Sequence, residues 1–152
     1  MWWQRKKSQT PQDLYERLLA FRLDKPGAPF PFSARLAKEQ GWTQDFAELA
    51  IQEYKRFMYL SVVAGHPVTP SLVVDEVWHL HLIYTRSYWD EFCLGLLGKL
   101  VHHDPGSGES EEKAHFFDQY ARTLQSYRLH IGEPPQEIWG PDNGKAVKKH
   151  GL

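Results

Sequence analysis

The sequence predicts an all-α fold, a single-domain helical bundle of about five or six helices. Three observations carry that expectation. Apolar residues recur at intervals of three and four over most of the chain, the positions that share one face of a helix. Ser, Thr and Pro stand where such windows begin and Gly where they end. No two segments alternate strongly enough to pair as strands, and no repeat or heptad seam is present.

The elements follow in order. Residues 11–23, PQDLYERLLAFRL, space Leu14, Leu18, Leu19 and Phe21 for a helix behind a proline suited to its first turn. DKPGAPFPF holds too much Pro and Gly for helix and reads as an extended connector whose Phe30 and Phe32 anchor it on the core. SARLAKEQGW is a short helix with Ser33 as its cap and Gly41 as its stop. From Thr43 to Gly65, Phe46, Leu49, Ala50, Tyr54, Phe57, Met58, Ser61 and Val62 form one long stripe. Thr69 is expected to cap the next helix with Pro70 in its first turn. After the turn-rich, acidic stretch GLLGKLVHHDPGSGESEEK, helical spacing resumes with Phe116, Tyr120, Leu124, Tyr127 and Ile131, and EPPQEIWGPDNG closes the domain in loops. The division is then an N-terminal arm over 1–10, a helical domain over 11–140 and a flexible tail over 141–152, whose KAVKKH run reads as a solvated end.

With 152 residues, one domain can bury ~68–70% of the surface its unfolded chain exposes, enough for a core without staples. A formal net charge of -1 supplies no field for nucleic acid or an anionic membrane, so neither is expected as a partner. The single cysteine, Cys93, excludes an intrachain disulfide and a multi-cysteine zinc cluster, and fits a reducing, cytoplasmic setting. No window approaches the roughly 18 apolar residues of a membrane-spanning helix, and MWWQRKK lacks the order of a secretory signal.

The stretch DEVWHLHLIYTRSYWDEFC, residues 75–93, raises the functional question. On a wheel advancing about 100° per residue, Val74, Val77, Trp78, Leu82, Tyr84, Tyr88, Trp89, Phe92 and Leu96 share an arc opposite Glu76, Ser87, Asp90 and Glu91, with Leu80, Ile83 and Leu94 as exceptions. His81 falls within the apolar arc, where a buried imidazole must find hydrogen-bond partners. Asp75, His79, Arg86 and Cys93 line its border. His79 and His81 stand roughly 200° apart and cannot share an ion on an unbroken helix. Asp75 and His79, one turn apart, do share a face; that pairing suits a plain surface contact, a metal or ligand site, or a carboxylate orienting a catalytic histidine. A second cluster, His102, His103 and Asp104, offers either metal ligands on a loop or caps for a helix end. A straight helix to Gly98 would carry the chain about 28 Å past His79, and five extended residues recover only ~17 Å. One shared site therefore requires a break, with Thr85 as a new cap or Gly95 as a kink. Cys93 reads as a buried structural thiol more than a nucleophile. P-loop, Rossmann, HExxH and GxSxG signatures are absent.

VDEVWHLH, TRSYWDEFC, Gly98 and LVHHDP together resemble the core of the glycine-rich domain-containing protein-like family, found in plant proteins and in small bacterial ones; IGEPPQEIWG is similar to the closing segment of the bacterial members. The likeness spans roughly residues 43 to 140. It implies a helical domain in which Asp75, Trp78, His79, His81, Tyr88 and Cys93 match recurrent positions, with a proline near Thr85 in plant members. It carries no activity, and the glycine-rich and other appended regions of the plant proteins have no counterpart here. Two functions are open on these grounds. One is a site for a divalent metal, zinc first, or a small ligand, built from Asp75, His79 and His103, with His102, Asp104 and His81 as lesser candidates. The other is a non-catalytic module that binds a protein through exposed Trp2, Trp3 or Trp139, its histidines only bracing the core.

Overall fold

In the computed structural model, which describes residues 9–103 and 110–140, helices follow one another without any strand among the described residues. They are α1 (Pro11–Ala20), α2 (Phe32–Gln40), α3 (Gln44–Val63), α4 (Leu72–Ile83), a wide π-helix π1 (Arg86–Leu97) and α5 (Ser110–His130). None is long and apolar enough to cross a membrane. Residues 1–8, including Trp2 and Trp3, Asp104, and the tail 141–152 lie outside the described residues.

α3 is the central element, packed against α1, α2, α4 and α5. Its stripe buries Tyr54, Phe57, Met58 and Leu60 almost completely, each such side chain contributing about 1.5–3 kcal/mol of transfer free energy. Thr43 caps it as expected, its hydroxyl accepting the Phe46 N–H at 3.1 Å. α1 begins in a capping box: Thr10 Oγ1 accepts from Asp13 N while Asp13 Oδ2 accepts from Thr10 N. It stops at Ala20, shorter than the periodicity suggested, because Phe21 turns extended toward the proline connector.

Two caps differ from expectation. α2 starts at Phe32, two residues earlier than a Ser33 cap implies, and Ser33 is not its cap: Asp24, reaching across from the connector, accepts from Ser33 N at 2.7 Å and from Ser33 Oγ at 2.6 Å. A carboxylate there satisfies a free helix N–H and suits the positive end of the helix better than a hydroxyl does. The connector is anchored by buried Phe32 alone; Phe30 lies at the surface beneath Arg35 and Lys38. α4 is capped by Ser71, whose hydroxyl accepts from Val74 N at 3.1 Å. Thr69, the expected cap, instead donates its backbone N–H to Thr123 Oγ1 and ties the α4 entrance to α5.

The 75–93 stretch is not one helix. α4 ends at Tyr84, whose φ of -83° and ψ of 73° leave the helical region, and its N–H closes a tight bond to His81 O at 2.9 Å. Thr85 then opens π1 without any side-chain cap bond, so the break forms at Tyr84 rather than at Gly95. Gly95 sits inside the wide winding, where an added Cβ would lie 3.1 Å from Asp90 O. π1 ends at Gly98 in the left-handed region, φ 75°, with Lys99 N returning to Cys93 O. Because the winding changes at Tyr84, the border strip of Asp75, His79, Arg86 and Cys93 does not persist: Arg86 is exposed and Cys93 is wholly buried. Leu80, off the apolar arc on paper, is also buried, while Ile83 and Leu94 face out.

A buried carboxylate closes the domain. Glu53 of α3 accepts from Tyr127 Oη at 2.6 Å and Trp139 Nε1 at 2.9 Å on one oxygen, and pairs with Arg56 at 2.6 Å on the other. Trp139 is therefore a core residue, 2% exposed, and is corrected from the exposed contact considered for it above.

Candidate metal centre

After the break at Tyr84, π1 packs against α4, and the segment after Gly98 brings His103 to the Asp75–His79 face of α4. Three side chains meet there. His103 Nε2 lies 2.6 Å from Asp75 Oδ1 and 3.0 Å from His79 Nε2, and His79 Nε2 lies 3.4 Å from Asp75 Oδ2. One donor atom from each falls within 4.8 Å of the others. The site is graded in exposure, with His103 the most covered and His79 half open to solvent.

The three groups crowd one another closely. The ring N–H axis between His103 and His79 joins the two Nε2 atoms, so one of them carries a hydrogen and the other accepts it. Asp75 Oδ1, although buried and 2.6 Å from His103 Nε2, has no donor aligned on it. A buried carboxylate oxygen this close to an imidazole nitrogen calls for positive charge, which a protonated His103 or a cation shared with His79 supplies.

Trp78 and Tyr88 set the position of His103. The Trp78 indole stacks on the His103 ring with centroids 4.0 Å apart and planes 11° from parallel. Its Nε1–H donates to Tyr88 Oη at 2.8 Å, and Tyr88 Oη donates to Val101 O at 2.5 Å, two residues before His103. Burial pushes the Tyr88 phenol up, which keeps that donating proton in place. Lys99 Nζ adds a bond to Ser61 O at the end of α3. Spacing arguments pointed to the ligating atoms but missed this chain of supports; the available signal was that a buried indole N–H next to a candidate ligand demands an acceptor.

The remaining candidates sit elsewhere. His81 is fully buried in the aromatic core, with Tyr54 Oη 2.6 Å from Nδ1 and Ser87 Oγ 3.0 Å from Nε2. In the neutral tautomer that satisfies both ends, Nδ1 accepts the Tyr54 O–H and Nε2–H donates to Ser87 Oγ. Burial, aided by the charge of Lys25, lowers its pKa to about 3, so it is neutral. His102 is exposed against Trp89, centroids 5.3 Å apart, and is not one of the three converging groups. Burial raises the Cys93 thiol, the reverse of what a nucleophile needs.

A family model described as UCP032817-like matches residues 29–117, more than half of the chain, spanning α2 through the segment that carries His103. That match does not bear on the glycine-rich domain-containing family. No curated protein and no solved structure matches the chain significantly.

Proposed function

The chain belongs to the UCP032817-like family, and we propose that its Asp75, His79 and His103 form a divalent-metal site. The observation that carries this reading is the convergence of one carboxylate and two imidazole nitrogens within 4.8 Å of one another. Donors around a tetrahedral zinc stand about 3.3 Å apart, given Zn–N and Zn–O distances near 2.0–2.1 Å. The 2.6 and 3.0 Å separations made by His103 Nε2 must open by about 0.7 and about 0.3 Å to admit it, whereas His79 Nε2 already stands 3.4 Å from the second carboxylate oxygen, Asp75 Oδ2. Two nitrogens and an oxygen suit zinc first, with iron and nickel accepting the same set. Three protein donors leave a fourth position, on the open side by His79, for water or a ligand.

Elemental analysis of untagged protein, purified without chelator, tests the reading alongside Asp75→Asn and His79→Ala. Stoichiometric metal in the wild type and its loss from both variants supports the site. Stoichiometric metal retained in both variants, or none in the wild type after zinc is supplied, overturns it.

A further inference from the structure

The break between α4 and π1 also shapes a second feature. A cleft of about 390 Å³ lies between the connector after α1 and the first turn of π1, with Leu23, Phe30, Phe32 and Tyr84 among its walls. That volume lies within the range of small-molecule sites. The cleft shares no residue with the Asp75–His79–His103 cluster.

Its walls are fixed. Phe32 is 3% exposed and contacts Tyr84 at 5.3 Å between centroids. Phe30 is held at the rim by Arg35, whose guanidinium stands 4.9 Å from the ring centroid. Thr85 and Ser87 add hydroxyl-bearing residues to the lining, and Ser87 Oγ is itself anchored by His81 Nε2.

The charges select among ligands. Lys25 and Glu91, both lining the cleft, pair at 2.8 Å and cancel. Arg86 lines it too, is exposed, and has no ion pair among the described residues. Arg35 and Lys38 stand over the Phe30 ring without lining the cleft, so its lining carries one uncompensated positive charge beside an apolar wall, which matches a ligand with one negative charge and a flat or alkyl body. A phosphate dianion would bring a second negative charge near Glu91 with no second unpaired cation in the lining to meet it. We infer that this cleft binds small amphipathic monocarboxylates, the apolar body lying on Phe30, Phe32 and Tyr84 and the carboxylate on the Arg86 guanidinium, whose planar fork fits it.

Titration of the isotope-labelled full chain, followed by amide chemical shifts, tests this with 3-phenylpropionate, its neutral amide and inorganic phosphate as probes. For a probe of this size, affinity of the order of millimolar is expected. The carboxylate should shift amides of residues 23–32 and 84–87 saturably; the amide, and the carboxylate on Arg86→Gln, should bind about ten-fold more weakly, as loss of a charge-assisted hydrogen bond dictates. Arg86→Lys should recover part of the loss. Phosphate should leave these residues unmoved. Equal affinity for acid and amide, indifference to Arg86→Gln in a protein whose spectrum remains dispersed, stronger response to phosphate, or no saturable shift in the cleft would each overturn the assignment. None of these outcomes depends on whether the metal site exists.

Discussion

His81 makes the stability of the fold depend on pH in a way that can be isolated. Folded, its pKa is about 3; unfolded, it returns to about 6.5. The unfolded chain therefore binds the proton more readily, and the stability that neutral His81 contributes is complete above about pH 6.5 and is lost as the pH falls through the window down to about 3. At pH 5 the unfolded imidazole is almost fully protonated while the folded one is not. The difference is about 2 kcal/mol relative to pH 7.5, rising toward roughly 5 kcal/mol below pH 3. That is a large part of a typical stability of about 5–15 kcal/mol. Urea unfolding of the wild type and His81→Gln, both in chelator, at pH 7.5 and pH 5 separates this from all other titrations, which the two proteins share. The wild type should lose about 2 kcal/mol more than the variant. Equal losses would show that His81 does not remain neutral in its bonds to Tyr54 and Ser87.

Other substitutions test other joints. Tyr88→Phe removes the hydroxyl between Trp78 Nε1 and Val101 O; it should cost about 1–3 kcal/mol in urea unfolding and weaken metal binding by loosening His103, and a variant with unaltered stability would contradict the bridge. Ser71→Ala should cost about 1 kcal/mol as the loss of the α4 cap, whereas Ser33→Ala should leave Asp24 still accepting from the residue-33 backbone N–H; a thermal midpoint unmoved by Ser71→Ala would displace the cap. Glu53→Gln keeps acceptors for Tyr127 and Trp139 but strands the Arg56 charge, and because Arg56 is partly exposed the cost should be about 3 kcal/mol or less; calorimetry showing stabilisation would mean the pair adds nothing.

How far the sequence carries depends on whether a feature is local. The long stripe of α3, its Thr43 cap and the stop at Gly41 are local, and apolar periodicity with capping chemistry predicts them. The displaced caps at Ser33 and Thr69 are not local, because Asp24 and Thr123 arrive from other elements to take those partners. Chain-length arithmetic requires a break only if the two histidine clusters share a site, and its position at Tyr84 and the wide winding of π1 depend on packing that no single window records. Asp75 and His79 share a face by spacing alone. The arrival of His103 between them required the fold, since Val101 is tied down by a tyrosine on another helix. Glu53 escaped notice because a glutamate inside an amphipathic stripe reads as surface until the donors on α5 and the closing segment are brought to it.

Cobalt(II) titrated into chelator-treated protein, followed by visible absorption, interrogates the Asp75–His79–His103 centre most directly, because cobalt takes zinc's ligands and its spectrum distinguishes four-coordinate from hydrated ion. One equivalent should bring up strong four-coordinate bands in the wild type that zinc then displaces and that His79→Ala lacks. A spectrum that stays that of the hydrated ion in the wild type would contradict a metal centre built from these three side chains.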